Sequence, residues 1–134
     1  MKIGIFDSGI GGLSVLHQAM QLLPDEEFIY YADEQHVPYG EKTSEEILGY
    51  VDEIISFMIS QGVEAIVIAC NTATSVAAKI MREKYDLPII GMEPAVKQAI
   101  DTYGDTNRVL VVATPITVKG KKIMELVERV DKHN

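Results

Sequence analysis

Strand-type and helix-type patterns alternate along the whole chain, and this alternation restricts the possible folds more than any other feature. Five short apolar runs of strand length are each followed by a stretch with apolar residues at helical spacing. Such alternation is typical of a mostly parallel sheet covered by helices on both faces. We therefore predict a doubly wound, three-layer α/β sandwich with strand order 2-1-3-4 and a fifth strand. The predicted strands are residues 2–6, 28–32, 65–69, 88–91 and 109–113.

The second predicted helix carries clear boundary signals. Thr43 and Glu46 have the spacing of a capping box, in which each residue bonds the backbone N–H of the other. Gly62 is placed to end the same helix, because glycine tolerates the left-handed backbone that often follows a helix.

The predicted topology also indicates where a ligand would bind. In a doubly wound sheet, ligands bind outside the carboxyl ends of the strands, where the strand order reverses. With the order 2-1-3-4 this point lies between strands 1 and 3, so the loops at residues 7–12 and 70–74 flank one crevice. These loops are the two most unusual stretches of the sequence.

The first loop opens with Asp7 and Ser8 and contains three glycines. Glycines allow a tight turn that presents backbone N–H groups, and a helix N-terminus follows, so the loop suits a carboxylate or a phosphate. Alternatively, Asp7 or Ser8 only caps the first helix. Ser14 replaces the third glycine of a dinucleotide-binding motif, and no P-loop lysine follows.

The second loop opens with Cys70, the single cysteine of the chain, which therefore cannot form an internal disulfide. Its position directly before a helix, with Asn71 or Thr72 expected as the cap, favours a thiolate that acts as an acid–base group or a nucleophile. The alternative is a small buried core residue. Two other functions stay open: a small cysteine hydrolase that pairs Cys70 with His36, and a non-catalytic domain that binds a small anion.

Further candidates follow the other strands. The loop at residues 32–42 is long for its type and contains Asp33 and His36. Tyr39 and the N–H of Gly40 would close over a ligand, unless they only form a proline-initiated turn. Three residues after strands 4 and 5 either line the site or cap helices: Glu93, Thr114 and Thr117.

Composition excludes several classes of partner. The formal net charge of −8 argues against nucleic acid and against anionic membrane surfaces, which both require clustered Lys and Arg. No apolar run approaches the roughly 20 residues of a membrane helix, and no signal-peptide pattern is present, so we expect a cytoplasmic protein. No residue cluster has metal-ligand spacing, so we expect no metal.

Taken together, the loop motifs resemble those of the glutamate racemases of the aspartate/glutamate racemase superfamily. They occur in the family order and cover nearly the whole chain. The matching segments are residues 4–12, 31–33, Pro38-Tyr39-Gly40, residues 70–74 and residues 91–94.

The resemblance implies interconversion of L- and D-glutamate without a cofactor, which supplies D-glutamate for peptidoglycan. In that family two cysteines flank the substrate Cα; one thiolate removes the α-proton and the other thiol returns a proton to the opposite face. Carried over by motif, Cys70 is one of the pair and Asp7 supports it. The positions that match substrate-holding residues are Asp7, Ser8, Tyr39, Gly40, Asn71 and Thr72.

The family's second catalytic cysteine lies in a downstream Cys-Thr-His motif that this chain does not reach. The resemblance therefore implies a fragment, in which residues 1–95 form a first domain carrying half of the active site. Residues 96–134 would begin a second domain, or alternatively form a fifth β-α unit of the same sheet. The sequence leaves the oligomeric state open, and a homodimer is compatible with it.

Overall fold

The computed structural model describes residues 1–103 and 108–130, and the chain divides into two compact units, Met1–Met92 and Glu93–Asn134. The first unit alternates strands with helices, and the second contains helices. The first unit comprises β1 (Lys2–Asp7), α1 (Leu13–Leu22), β2 (Glu27–Ala32), a 3₁₀ turn (Tyr39–Glu41), α2 (Ser44–Ser60), β3 (Ala65–Ile68), α3 (Asn71–Lys84) and β4 (Ile89–Gly91). The second comprises α4 (Val96–Tyr103), α5 (Pro115–Val118) and α6 (Lys121–Val130).

The four strands form one parallel sheet of order β2-β1-β3-β4, which confirms the predicted fold class and strand order. Phe6 in β1 lies opposite Tyr31 in β2 and Ile68 in β3. Strand β1 is central and its residues from Ile3 to Asp7 are buried. Since all strands run in one direction, the carboxyl ends of β1 and β3 lie next to each other.

The two faces of the sheet are covered by different helices. Gly4 lies on the face that packs against α2, where an added Cβ would meet the Met58 sulfur at 2.8 Å. Asp7 lies on the opposite face, beside the turn into α1. Right-handed crossovers explain this division. The chain moves in one direction across the sheet from β1 through α1 to β2, and in the opposite direction from β2 through α2 and α3 to β4.

The boundaries of α2 follow the predicted signals. Thr43 Oγ1 accepts a hydrogen bond from the Glu46 N–H at 3.2 Å, and Glu46 Oε2 accepts one from the Thr43 N–H at 2.8 Å. The capping box is thus confirmed. The Thr43 hydroxyl also donates to Glu46 Oε2, at 2.9 Å. The bond from the Thr43 N–H, and then the one from its hydroxyl, lower the pKa of the Glu46 carboxyl. Gly62, at φ +80°, follows the end of the helix.

The predicted fifth strand is wrong. Residues 109–113 form no strand within the part of the chain that the structure describes, and Leu110 and Val112 are 88% and 86% exposed. An apolar, β-branched run predicts a strand only when a neighbouring strand completes its hydrogen bonds. The sheet of the first unit ends at β4.

Among residues 1–103 and 108–130, no helix is both long and apolar enough to cross a membrane.

Candidate functional site

Cys70 lies at the carboxyl end of β3 and itself caps α3. Its Sγ accepts a hydrogen bond from the Ala73 N–H at 3.4 Å. The prediction that Asn71 or Thr72 would be the cap is therefore wrong, because both already belong to the helix. The thiol is 7% exposed. The sulfur therefore lies at the first turn of α3, where backbone N–H groups point out of the helix.

Ser8, which follows the last residue of β1, contacts Cys70. The Cys70 thiol donates to Ser8 Oγ at an S···O distance of 3.5 Å. Asp7 is 8% exposed, and its Oδ2 accepts a hydrogen bond from the Gly12 N–H at 2.9 Å. The N-cap of α1 is Gly12, and no side chain caps this helix, so Ser8 does not act as its cap. Asp7 instead ties the loop at residues 7–12 together just before the helix.

Gly12 is required by close packing at this turn. An added Cβ would lie 2.8 Å from the Asp7 Cβ, 3.0 Å from the Ala69 Cβ and 3.0 Å from the Tyr30 hydroxyl. These three neighbours come from β1, from β2 and from the residue after β3. The absence of a side chain at Gly12 thus allows the loop to lie directly against the strand ends.

Tyr30 is a site-supporting residue that the sequence analysis missed. Its hydroxyl donates to the Gly9 carbonyl at 2.9 Å and holds the loop from β2. Burial, and next the negative charge of Asp7, raise the pKa of Tyr30. The sequence could have indicated Tyr30, because alternate residues of β2 lie on the same face of the sheet as Asp7.

The loop at residues 7–12 leaves donors available for a ligand. In the described part of the chain, no protein acceptor takes the N–H groups of Gly9, Ile10 and Gly11. At the other side of the crevice, Asn71 is exposed and Thr72 is buried in the first turn of α3. Backbone donors and a helix N-terminus are suited to hold carboxylates without nearby Lys or Arg.

Tyr39 and Gly40 form a 3₁₀ turn that contacts α3. Tyr39 is 2% exposed, and its hydroxyl donates to Asp33 Oδ2 at 2.6 Å. The pKa of Tyr39 is raised, first by burial and then by this hydrogen bond. The negative charge of Asp33 and, after it, that of a Cys70 thiolate raise it further.

His36 is engaged away from Cys70. Its Nδ1 donates to Asp33 Oδ1 at 2.8 Å, and its ring stacks on Tyr50 with centroids 3.8 Å apart. The hydrogen bonds of the Cys70 sulfur within the described residues go to Ser8 and Ala73. The structure therefore does not form the Cys–His pair that a hydrolase would need.

Three predicted candidates belong to the second unit. Glu93 is exposed and lines a surface cavity with residues of α6. Thr114 is the N-cap of α5 and accepts from the Thr117 N–H at 3.4 Å, as in the capping alternative. Thr117 is buried. A role of these residues at the site stays a prediction.

Within the described ranges, no group of three or more His, Cys, Asp or Glu side chains is arranged to hold a metal ion.

Two curated relatives match nearly the whole chain. The chain is 58% identical over 132 residues to the glutamate racemase of Lachnospira eligens, covering 98% of this chain and 50% of that protein. It is 60% identical over 136 residues to the glutamate racemase of Campylobacter curvus, covering 98% of this chain and 51% of that protein. The chain thus spans about half the length of the curated relatives it matches.

Solved structures show the same fold. The glutamate racemase of Aquifex pyrophilus matches 96% of this chain and 51% of its own, with a TM-score of 0.87 and 37% identity. The Escherichia coli glutamate racemase, solved with L-glutamate and the activator UDP-MurNAc-ala, matches 97% of this chain and 49% of its own, with a TM-score of 0.82 and 36% identity. The family model described as Asp/Glu/Hydantoin racemase matches residues 12–131, and the chain belongs to this family.

Proposed function

We propose that this chain supplies one of the two catalytic thiols of a cofactor-independent glutamate racemase. The observation that carries the proposal is the position of Cys70. Its sulfur lies at the N-terminus of α3, 3.5 Å from Ser8 Oγ, and the buried Asp7 ends the adjacent strand. The similarity to proteins named glutamate racemase supports the choice of reaction.

The reaction needs a base on each face of the substrate α-carbon. The Cys70 thiolate takes the α-proton and becomes a thiol, which leaves a carbanion stabilised by the adjacent carboxylate. A second thiol then gives a proton to the opposite face and becomes a thiolate, so the configuration inverts without movement of the substrate. Since the chain has one cysteine, we propose that the second thiol lies in the half of the relatives that this chain does not match.

The substrate would be held by groups that surround Cys70. The free N–H groups of the loop at residues 7–12 and the N-terminus of α3 suit the α-carboxylate. Asn71, Thr72 and the turn at Tyr39 and Gly40 would hold the rest of the molecule. Structures of related racemases solved with L-glutamate and with D-glutamate support glutamate as the ligand.

The wider roles belong to the same proposal. The product D-glutamate would be supplied to peptidoglycan synthesis. A cytoplasmic location is consistent with a lone thiol that must stay reduced. We further propose that residues 96–134 begin a second domain and that the whole protein needs no cofactor and forms a homodimer.

The first experiment measures exchange of the α-proton of L- and D-glutamate in heavy water by NMR, together with a chiral assay of the same samples. We expect the 134-residue chain to exchange one enantiomer without inverting it, or to exchange neither. A chimera in which this chain replaces the matching half of the Lachnospira eligens racemase should invert both enantiomers.

Matched variants make the experiment decisive. In the chimera, Cys70→Ala should abolish inversion, whereas His17→Gln, a change on an exposed face of α1, should leave the rate unchanged. A well-folded chimera that does not racemise, or one that racemises with Cys70→Ala, would refute the proposed role of Cys70. Full inversion by the 134-residue chain alone would refute the need for a second thiol.

A further inference from the structure

A buried polar cluster lies between the end of β2 and the turn at Tyr39. Asp33 is 3% exposed and accepts hydrogen bonds from two side chains. Its Oδ2 accepts from the Tyr39 hydroxyl at 2.6 Å, and its Oδ1 accepts from His36 Nδ1 at 2.8 Å. Both carboxylate oxygens are therefore occupied by donors on the same loop, which limits where Tyr39 can lie.

The cluster is anchored at both ends. The Asp33 N–H donates to the Asp7 carbonyl at 3.0 Å, which ties the carboxylate to the end of β1. The His36 ring stacks on Tyr50 of α2 at an interplanar angle of 12°, with the centroids 3.8 Å apart. Asp33 is thus held by a hydrogen bond to the sheet. His36 is held by its ring contact with α2, a helix that packs on the sheet.

The Tyr39 hydroxyl is consumed by this cluster. Because it donates to Asp33, it has no proton to offer a ligand. The contribution of Tyr39 to a site is then the position of its ring and of the backbone of its turn, which contacts α3. Asp33 and His36 act on the site through Tyr39.

We propose that Asp33 and His36 are positioning residues that hold Tyr39 and its turn against α3, the helix that Cys70 caps. This inference deepens the proposed racemase function and rests on it for its role in catalysis. The geometry of the cluster itself is independent of the reaction, so the two can be tested separately.

The first test uses the 134-residue chain and the alkylation of Cys70 by iodoacetamide. Since the chain has one cysteine, the rate reports the accessibility of that thiol alone. Loss of a buried hydrogen bond corresponds to roughly a tenfold change in an equilibrium. We therefore expect Tyr39→Phe, and equally His36→Phe, to raise the alkylation rate about tenfold. His36→Phe keeps a ring on Tyr50 and removes only the donor to Asp33.

Two controls separate positioning from general loss of stability. Thr43→Ala weakens the cap of α2 without touching the cluster, and its alkylation rate should change less than about twofold although the chain unfolds more readily. His17→Gln should change neither quantity. Equal rates for wild type, Tyr39→Phe and His36→Phe would overturn the inference, as would an equal acceleration by Thr43→Ala.

The second test measures KM and kcat in the chimera. Asp33→Leu and His36→Phe should raise the KM for glutamate about tenfold and change kcat much less, because they displace a binding turn and leave Cys70 intact. Asp33→Asn, which keeps an acceptor for Tyr39, should restore most of the affinity. An unchanged KM in both variants would refute the positioning role. An inactive wild-type chimera would count against the proposed function, while the alkylation rates still test the cluster.

Discussion

The packing around Gly12 leads to a specific prediction for Gly12→Ala. The new Cβ would lie 2.8 Å from the Asp7 Cβ and 3.0 Å from the Ala69 Cβ, whereas carbon atoms prefer separations of about 3.5–4.0 Å. Both neighbours are Cβ atoms and cannot rotate away. The Tyr30 hydroxyl, also 3.0 Å from the new atom, is held by its bond to Gly9. The loop itself must therefore move.

The cost follows from two effects. Overpacking at such a site costs about 1–3 kcal/mol. Moving the loop also removes the Gly12 N–H from the buried Asp7 carboxylate, which costs about 1–3 kcal/mol. Because the same shift relieves the first effect and causes the second, the two do not add fully. We expect the free energy of unfolding to fall by about 2–4 kcal/mol.

Urea unfolding followed by circular dichroism measures this loss, and thermal unfolding should show a decrease of about 10 °C in Tm. Gly9→Ala is the matched control, because its added Cβ meets nothing within 4 Å and Gly9 has no positive φ. We expect the control to stay within about 0.5 kcal/mol of wild type. Equal midpoints for Gly12→Ala and Gly9→Ala would refute the reasoning.

Three other predictions follow from hydrogen bonds in the first unit. Thr43→Ala should destabilise the chain by about 1–2 kcal/mol in urea. The bonds to Thr43 lower the pKa of Glu46, so the stability that this carboxylate contributes is present above its ordinary pKa of 4.5. This contribution is lost as the pH falls through the lower pKa of the folded state. A difference in stability between Thr43→Ala and wild type that does not shrink in acid would contradict this. The Thr74 hydroxyl donates to the Ile68 carbonyl at 3.2 Å and accepts from the Met92 N–H at 3.0 Å. Thr74→Val removes this hydroxyl and should lower the free energy of unfolding in urea by about 1–3 kcal/mol. Thr74→Ser keeps the hydroxyl and should lose less, and equal losses would show that the hydroxyl is unimportant. Finally, burial and the bond to Asp33 raise the pKa of Tyr39, so the folded chain keeps a proton that the unfolded chain releases above the ordinary pKa of 10.0. Stability should therefore fall as the pH rises above 10.0, and the fall should be shallower for Tyr39→Phe; equal slopes in urea titrations would contradict this.

Local patterns in the sequence predicted the regular elements well. The strand order β2-β1-β3-β4 followed from the alternation of short apolar runs with helical periods, because parallel strands need covering helices. The capping box of Thr43 and Glu46 was also readable, because it depends on residues three apart. The segment at residues 109–113 was misread as a strand because apolar composition does not reveal whether a partner strand is available.

The site was only partly predictable. The sequence indicated that the loops after β1 and β3 would flank one crevice, and Ser8 and Cys70 of these loops are in contact. It did not indicate that Cys70 would be the helix cap, because a thiol is not among the usual capping side chains. It also did not predict the position of Tyr50.

Sequence alone therefore determined the α/β class, the strand order and the crevice at the strand ends, since these follow from periodicity and from general rules of chain connection. Tertiary structure decided which groups engage each other inside that crevice. It directed His36 to Asp33 and Tyr50 instead of Cys70, and it left no room for a side chain at Gly12. The physical reason is that such contacts depend on how side chains from several elements pack together, to within a few tenths of an ångström, which no local pattern encodes.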